Sequence, residues 1–387
     1  MASATLAMQS ALPALILVAG GLATAGVTFA ATQQPAKWSV EAKPTLTLGE
    51  SEADTNDMFS QVVGATRLPN GQVLTGDVGS FALRLFAADG KLVRRFGRKG
   101  AGPGEIGHLK GLLRCGDSIV TMDIEAQRTS VFTLGGTYVR SFRFASPQPA
   151  RPPYASACNG AGDFVHFGWE NQTDMIGGAY RGKVPLWLSK TDSSVRQLIA
   201  TIPGSERYGL VADGQLRGSR PLPLGKQTAI ALGKDRVYVA VGDQYEIQVF
   251  DLAGKTLPPI RDGRAVVATT RADIDRARDL ELALVAEPQR AAAVARFDAM
   301  PFPKTLPSYR SLRVDVDGNV WAQDYPRQAS QTSQWTVFDA GGRRIAEAAL
   351  PVHLDVYEIG RDYVLARYLD PDESVPQVRM YRLKRGT

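Results

Sequence analysis

The chemistry this sequence can offer rests on three histidines, a recurring aspartate and a scattered set of basic and tyrosyl residues. His108 and His353 each fall where a strand begins, by alignment of the internal repeats set out below. Two imidazoles at one mouth would bind a metal or act as acid and base; the plainer reading is two solvated or hydrogen-bonded polar side chains. Lys110, Tyr154, Lys226, Tyr309, Arg310 and Asp355 occupy analogous positions. Together they would form a mixed, mainly basic surface with two tyrosines, suited to an anionic or sugar-like ligand. His166 stands between apolar Val165 and Phe167 and reads as a packed strand residue.

Carboxylates recur where a second strand ends, at Asp77, Asp123, Asp243, Asp324 and Asp370, the last with Asp372 and Glu373. A ring of acids near one face would suit Ca²⁺. An aspartate at a strand-to-turn junction more simply caps the turn by accepting backbone N–H bonds. Asp315 to Asn319 has the look of a calcium loop but lacks the closing Glu and coincides with a repeat turn. No G-x-S-x-G, H-E-x-x-H or phosphate-binding Gly-Lys-Ser/Thr occurs. The glycines from Gly97 to Gly104 follow a strand and open no helix, so the dinucleotide context is absent.

The elements that must position these residues are short strands. Gly64 to Asp77 reads as strand, Asn70-Gly71 turn, strand; Asn-Gly supplies the positive-φ residues of a two-residue hairpin. Phe81–Phe86, an Asp89-Gly90 turn and Lys91–Gly97 complete four antiparallel strands. The pattern returns from Gly111, and the spacing Gly71 to Gly90 equals Gly116 to Gly135, 19 residues. Weaker copies begin at Ala155, Ala229, Leu312 and Val356. Four strands per unit at a period of roughly 40 to 50 residues is the signature of a β-propeller, here with six blades. The sixth copy has only three strands, so the segment Trp38–Leu48 is expected to supply its missing outer strand and close the ring.

Two stretches carry a family likeness: Asp123 to Phe132, with its Asp-x4-Arg-x3-Phe spacing, and the Gly-rich Phe96–Glu105. On these the chain resembles the NHL-type six-bladed β-propellers of bacterial cell envelopes, within the TolB-like/NHL-like superfamily. The resemblance spans residues 37–387, but only the first two copies match well; Gly168-Trp169 replaces the aspartate, and Asp324-Tyr325-Pro326 lacks the arginine. It implies the fold, and it leaves lyases, hydrolases and plain binding platforms open.

Residues 1–31 stand apart. Leu12 to Val27 is apolar and uncharged and contains the A-x-A site Ala23-Thr24-Ala25, which reads as a signal peptide. An uncleaved anchor is the alternative, because no Lys or Arg precedes the run. The mature chain, 32–387, is then expected in the periplasm or secreted, with no stable membrane span. The only cysteines, Cys115 and Cys158, end the innermost strands of adjacent copies. A disulfide between them fits an oxidising compartment and would contribute about 4 kcal/mol on the chain-entropy model; two buried thiols are the alternative. The net charge of +6 is spread through the strands with no basic run interleaved with aromatics, which argues against nucleic acid.

Three links between copies are elaborated: 98–108, 203–226 and 264–307. In the last, Thr269 or Thr270 caps a helix through Ala286, with Asp273 and Asp275 in its first turns and Ile274, Ala277, Leu280 and Leu284 at helical spacing. Pro288 opens a second helix to about Phe297. The expectation is an all-β six-bladed propeller with a helical hairpin, about 269–297, between blades 4 and 5, over or beside the channel mouth. It would act as a lid, a surface ornament or a dimer contact. The function read from this is an exported binding module for a small molecule, peptide or glycan, without a cofactor. The alternatives are a lyase or lactone-type hydrolase assisted by Ca or Zn on the same face, and a scaffold for a protein partner.

Overall fold

The computed structural model divides into two compact units, 1–34 and 35–387. It describes residues 1, 34–49, 58–143, 154–168, 170, 174–190, 196–283, 285–327, 330–369 and 375–386. Residues 2–31 of the expected signal segment, Trp169, Leu284, Asp370, Asp372, Glu373 and the side chain of Tyr154 lie outside the described residues.

The second unit is built of mainly antiparallel strand groups. The first is the meander Val62–Arg67, Val73–Asp77, Ala82–Phe86, Leu92–Phe96. Its opening turn departs from the expected two-residue hairpin: Leu68 N–H donates to Gln72 O, so Pro69, Asn70 and Gly71 form a three-residue loop in which only the glycine has positive φ. Gly71 takes φ +86°, its N–H donates to Leu68 O, and Asn70 Oδ1 accepts from Gln72 N–H. A second meander opens with Leu109–Cys115, a third with Tyr154–Cys158 and a fourth with Ala229–Leu232. Two further groups, opening with Tyr309–Val314 and Leu354–Ile359, belong to one nine-stranded sheet. The opening strands touch one another in cyclic order, the last group against the first.

Burial follows from this stacking. Val73–Asp77 and Ala82–Phe86 are buried at every position, whereas Leu92–Phe96 is mostly exposed. A strand covered on both faces loses the in-out alternation of a one-faced sheet. Apolar clusters fill the gaps between neighbouring sheets, such as Leu74, Leu83, Leu112 and Phe132 between the first two.

The N-terminal segment departs from expectation. Leu46–Leu48 pairs antiparallel with Val378–Met380, in the expected edge position. Ala36–Ser39 instead runs parallel to the strand Arg344–Pro351, an outer strand of the neighbouring group, and only Ser39 and Val40 reach Lys384 and Leu383. The cause is Trp38. Its ring lies 5.4 Å from that of Trp321 in the core between the two groups, and its Nε1–H donates to Gly386 O.

Two helices, α1 (Arg271–Ala283) and α2 (Arg290–Asp298), lie between the strands Thr256–Arg261 and Tyr309–Val314. Thr270 and Asp273 form a reciprocal cap. Asp273 N–H donates to Thr270 Oγ1, and Thr270 N–H and O–H donate to Asp273 Oδ2 at 2.9 and 2.6 Å. Ile274 and Ala277 pack with Phe297 and Leu222, but Leu280 is 67% exposed, so the apolar spacing is only partly core. The polar link 203–226 is not a simple loop. It forms the hairpin Arg207–Ala212/Gln215–Pro221, which pairs with Gly178–Tyr180. Arg220 bridges to Glu281 of α1 at 2.7 Å, so the two elaborated links brace each other.

Cys115 and Cys158 form a disulfide with Cα atoms 5.4 Å apart. Among the described residues no helix is long and apolar enough to cross a membrane.

Candidate functional site

A cavity of about 990 Å³ opens where the strands Tyr309–Val314 and Leu354–Ile359 begin. Arg310 reaches it through a local irregularity. Tyr309 pairs with Asp324 and Ser311 with Gln323, which leaves Arg310 as the extra residue of a β-bulge. A bulge re-aims the side chain it carries, and Arg310 is exposed and lines the cavity.

Beside it a charged network builds the wall. Arg264 makes a two-pronged contact with Asp324, Nη1 to Oδ2 at 2.7 Å and Nη2 to Oδ1 at 3.0 Å. Its Nε donates to Asp262, whose side chain is buried and also accepts from Arg344. The guanidinium lies 4.1 Å from the centre of the Tyr245 ring, a cation–π contact. Burial disfavours the Arg264 charge, but Asp324 and Asp262 outweigh it and raise its pKa. Tyr309, buried behind Arg264, is pushed up from the ordinary tyrosine value by burial and then by Asp262.

The cavity is also lined by His353, in the left-handed region at φ +65°, and by Asp355, paired with Arg367. Arg327 comes from the link after Asp324, and Leu280 from α1. The charged lining is four arginines against two aspartates. Arg264 and Arg367 are paired; among the described residues neither Arg310 nor Arg327 meets a carboxylate at ion-pair distance.

The residues singled out from sequence therefore separate. Arg310, His353 and Asp355 share this cavity. Tyr309 lies behind its wall, in edge contact with Tyr245 at 5.3 Å. Lys110 lines a second cavity of about 380 Å³, bounded by the opening strands of all six groups. His108 lines neither cavity, although its backbone N–H donates to Asp123. Lys226 is buried, with its ammonium on Thr305 O and Oγ1, and burial lowers its pKa. It cannot join the exposed surface expected of it. His166 is fully buried, with Nε2 and Ser189 Oγ 2.8 Å apart.

The aspartate series divides in the same way. Asp77 accepts from the N–H groups of Ser60, Gln61 and Ser80, and Asp123 from those of Gly107, His108 and Ala126. Asp77 also holds the Arg84 guanidinium, whereas Asp243 and Asp324 hold those of Arg181 and Arg264. Asp315 accepts from its own turn, from Trp321 and from Arg385, so its carboxylate is taken up structurally. Among the described residues no group of three or more His, Cys, Asp or Glu could hold a metal ion.

No protein-family model and no curated protein matches the sequence. Solved structures do. A member of the DUF4221 family from Bacteroides vulgatus superposes with a TM-score of 0.52 at 11% identity, covering 92% of this chain and all of that one. The fold is a β-propeller. The match shows this architecture and nothing further, since identity is so low. Propellers of lower similarity include a regucalcin from Agrobacterium tumefaciens (TM-score 0.45, 9% identity, 91% and 97% covered). Another is a gluconolactonase from Xanthomonas campestris (0.42, 12%, 90% and 97%).

Proposed function

We propose that this propeller is an exported binding module that takes an anionic small molecule or acidic glycan in the 990 Å³ cavity. In this reading the strand groups are six NHL-like blades, with the helical pair inserted between the fourth and fifth. Residues 1–31 are a cleaved signal segment, and the mature protein works in the periplasm or outside the cell. The disulfide fits that compartment.

One observation carries the proposal: Arg310 and Arg327, two arginines without carboxylate partners among the described residues, in a cavity that already holds two paired ones. Each paired arginine is neutralised in place, so the surplus charge sits with the other two. A guanidinium offers a fork of N–H donors that matches carboxylate and phosphate. Gln323, Ser333, Gln334 and Tyr245 add neutral hydrogen-bonding and stacking groups of the kind that orient a sugar. Leu280 places α1 at the rim as a lid element.

The test is calorimetric titration of the mature protein with glucuronate, glucose 6-phosphate and glucose. The expected result is binding of one or both acids, none of glucose, and about tenfold or greater weakening in Arg310→Gln, the size of a lost charge-assisted hydrogen bond. Equal affinity in wild type and in an Arg310→Gln, Arg327→Gln double variant would remove this reading. Metal-dependent hydrolysis of a lactone would replace it with the enzyme, and stoichiometric co-purification of a protein insensitive to both variants with the scaffold.

A further inference from the structure

The central cavity is the second place where charge is left over. It lies within the ring of opening strands, and its charged lining is Lys110, Arg114, Arg313 and Glu358. Glu358 is already engaged. Its Oε2 accepts from Thr66 Oγ1 at 2.6 Å and from Arg67 N–H at 3.3 Å, and its Oε1 from Tyr363. The arginines are held by carbonyls instead. Arg313 donates from Nε to Val356 O at 2.6 Å and from Nη1 to Leu312 O at 2.7 Å. Arg114 donates from Nε to Gly116 O at 3.1 Å and from Nη1 to Arg67 O at 3.3 Å. In both, Nη2 has no partner among the described residues, and none of the three cations pairs with a carboxylate there.

Carbonyls fix a guanidinium in orientation but leave its charge uncompensated, and an uncompensated charge away from bulk water is costly. Burial accordingly lowers the Arg313 pKa, with Asp355 and Tyr357 acting the other way. A purely structural role would be served better by an acid beside each arginine, as Asp77 serves buried Arg84 at 3.1 Å. Lys110 is the extra residue of a bulge between Leu109 and Gly111, the same device that brings Arg310 to the larger cavity.

We infer that the propeller channel is a separate binding site for a small multivalent anion of phosphate type, held by Arg313, Arg114 and Lys110. Two guanidinium forks and one ammonium match three acceptor oxygens, and 380 Å³ admits phosphate or a phosphoryl group but not a large glycan. The site does not depend on the reading of the larger cavity.

The experiment uses inorganic phosphate on the mature protein at constant ionic strength, read by isothermal titration and by melting temperature. The background is the Arg310→Gln, Arg327→Gln variant, so that the larger cavity cannot supply the response. Phosphate is expected to bind there and raise the melting temperature. Adding Arg313→Met should weaken it about tenfold or more, and Lys110→Gln several-fold. Without phosphate, Arg313→Met should melt no lower than its parent, because it removes an unneutralised charge. Should Arg313→Met fail to fold, Arg114→Met and Lys110→Gln carry the same comparison. Phosphate binding unchanged by these substitutions would overturn the inference, and so would no phosphate response in the Arg310→Gln, Arg327→Gln background.

Discussion

His353 joins backbone strain and chemistry at one position. It is exposed, lines the larger cavity and sits at φ +65°, where side chains other than Gly, Asn, Asp or His are uncommon. Its carbonyl accepts from Leu369 N–H, so the kink is tied to the neighbouring strand end. Two roles are thereby separable. His353→Gly should leave the melting temperature unchanged or higher, since glycine adopts this conformation freely. His353→Val should lower it, by about 1–2 kcal/mol for a β-branched residue forced into the left-handed region. If the imidazole also meets ligand, glycine will lose affinity while keeping stability; equal stability of the two variants would contradict the backbone role. Arg264 marks what residue-level reading missed. Nothing in the repeat pattern distinguishes it from other strand-end arginines, because its importance comes from Asp324, Asp262 and Tyr245 converging across three sequence segments. A signal did exist at Asp324-Tyr325-Pro326-Arg327. The repeat's usual arginine is absent there, and that departure coincides with the cavity wall. In the second copy the corresponding Arg128 is spent on the carbonyls of Ala101 and Glu105.

At the scale of elements, local rules were legible where they are satisfied locally. The α1 cap depends on neighbours within four residues, and so does a turn at Asn70-Gly71, although its loop is one residue longer than expected and Pro288 opens a short 3-10 turn ahead of α2. The hairpin at 207–221 was not legible, because its stability comes from Gly178–Tyr180 and from Arg220 against Glu281. The burial of Lys226 is hidden from the sequence for the same reason: its ammonium is held by Thr305, 79 residues away. The α1 cap has a definite consequence. Burial works against the Asp273 charge, but Thr270 and Arg276 outweigh it and hold the carboxyl below its ordinary 3.8. A carboxyl with a depressed folded-state pKa contributes stability above its unfolded value, and that contribution is lost as pH falls through the folded value. Asp273→Ala should therefore cost about 1 kcal/mol at pH 7, with the difference from wild type shrinking below pH 3.8. A difference constant from pH 7 to pH 2.5 would contradict the ionic part of the cap. Leu280→Ser, at a position 67% exposed, should leave the melting temperature within about 0.5 kcal/mol equivalent. Any loss of ligand affinity in that variant would therefore report on the rim and not on folding.

The unit 35–387 is a ring of contacts between the opening strands, tied by sequence-distant partners: Cys115 with Cys158, and the segment 36–48 with the last strand. The disulfide ties the second group to the third, and Cys115→Ala with Cys158→Ala should cost up to about 4 kcal/mol on the chain-entropy model. The N-terminal segment ties together more. Ala36–Ser39 extends one strand group while Leu46–Leu48 covers the last strand of the next, so one short stretch of chain covers two edges. Trp38 sits between those groups at 9% exposure, against Trp321 and beneath Arg385. Burying one large aromatic contributes about 3 kcal/mol or more, and each uncovered edge presents unpaired N–H and C=O groups to other chains. A chain beginning at residue 50 should therefore lose cooperative unfolding and self-associate, seen as a broadened calorimetric transition and a larger species on sizing. Trp38→Ala in a chain that keeps residues 35–387 should show the destabilisation without the association, because both edges remain paired. If the truncated chain stays monomeric with an unchanged melting temperature, the ring is held by its opening strands alone, and the N-terminal strands are not its closure.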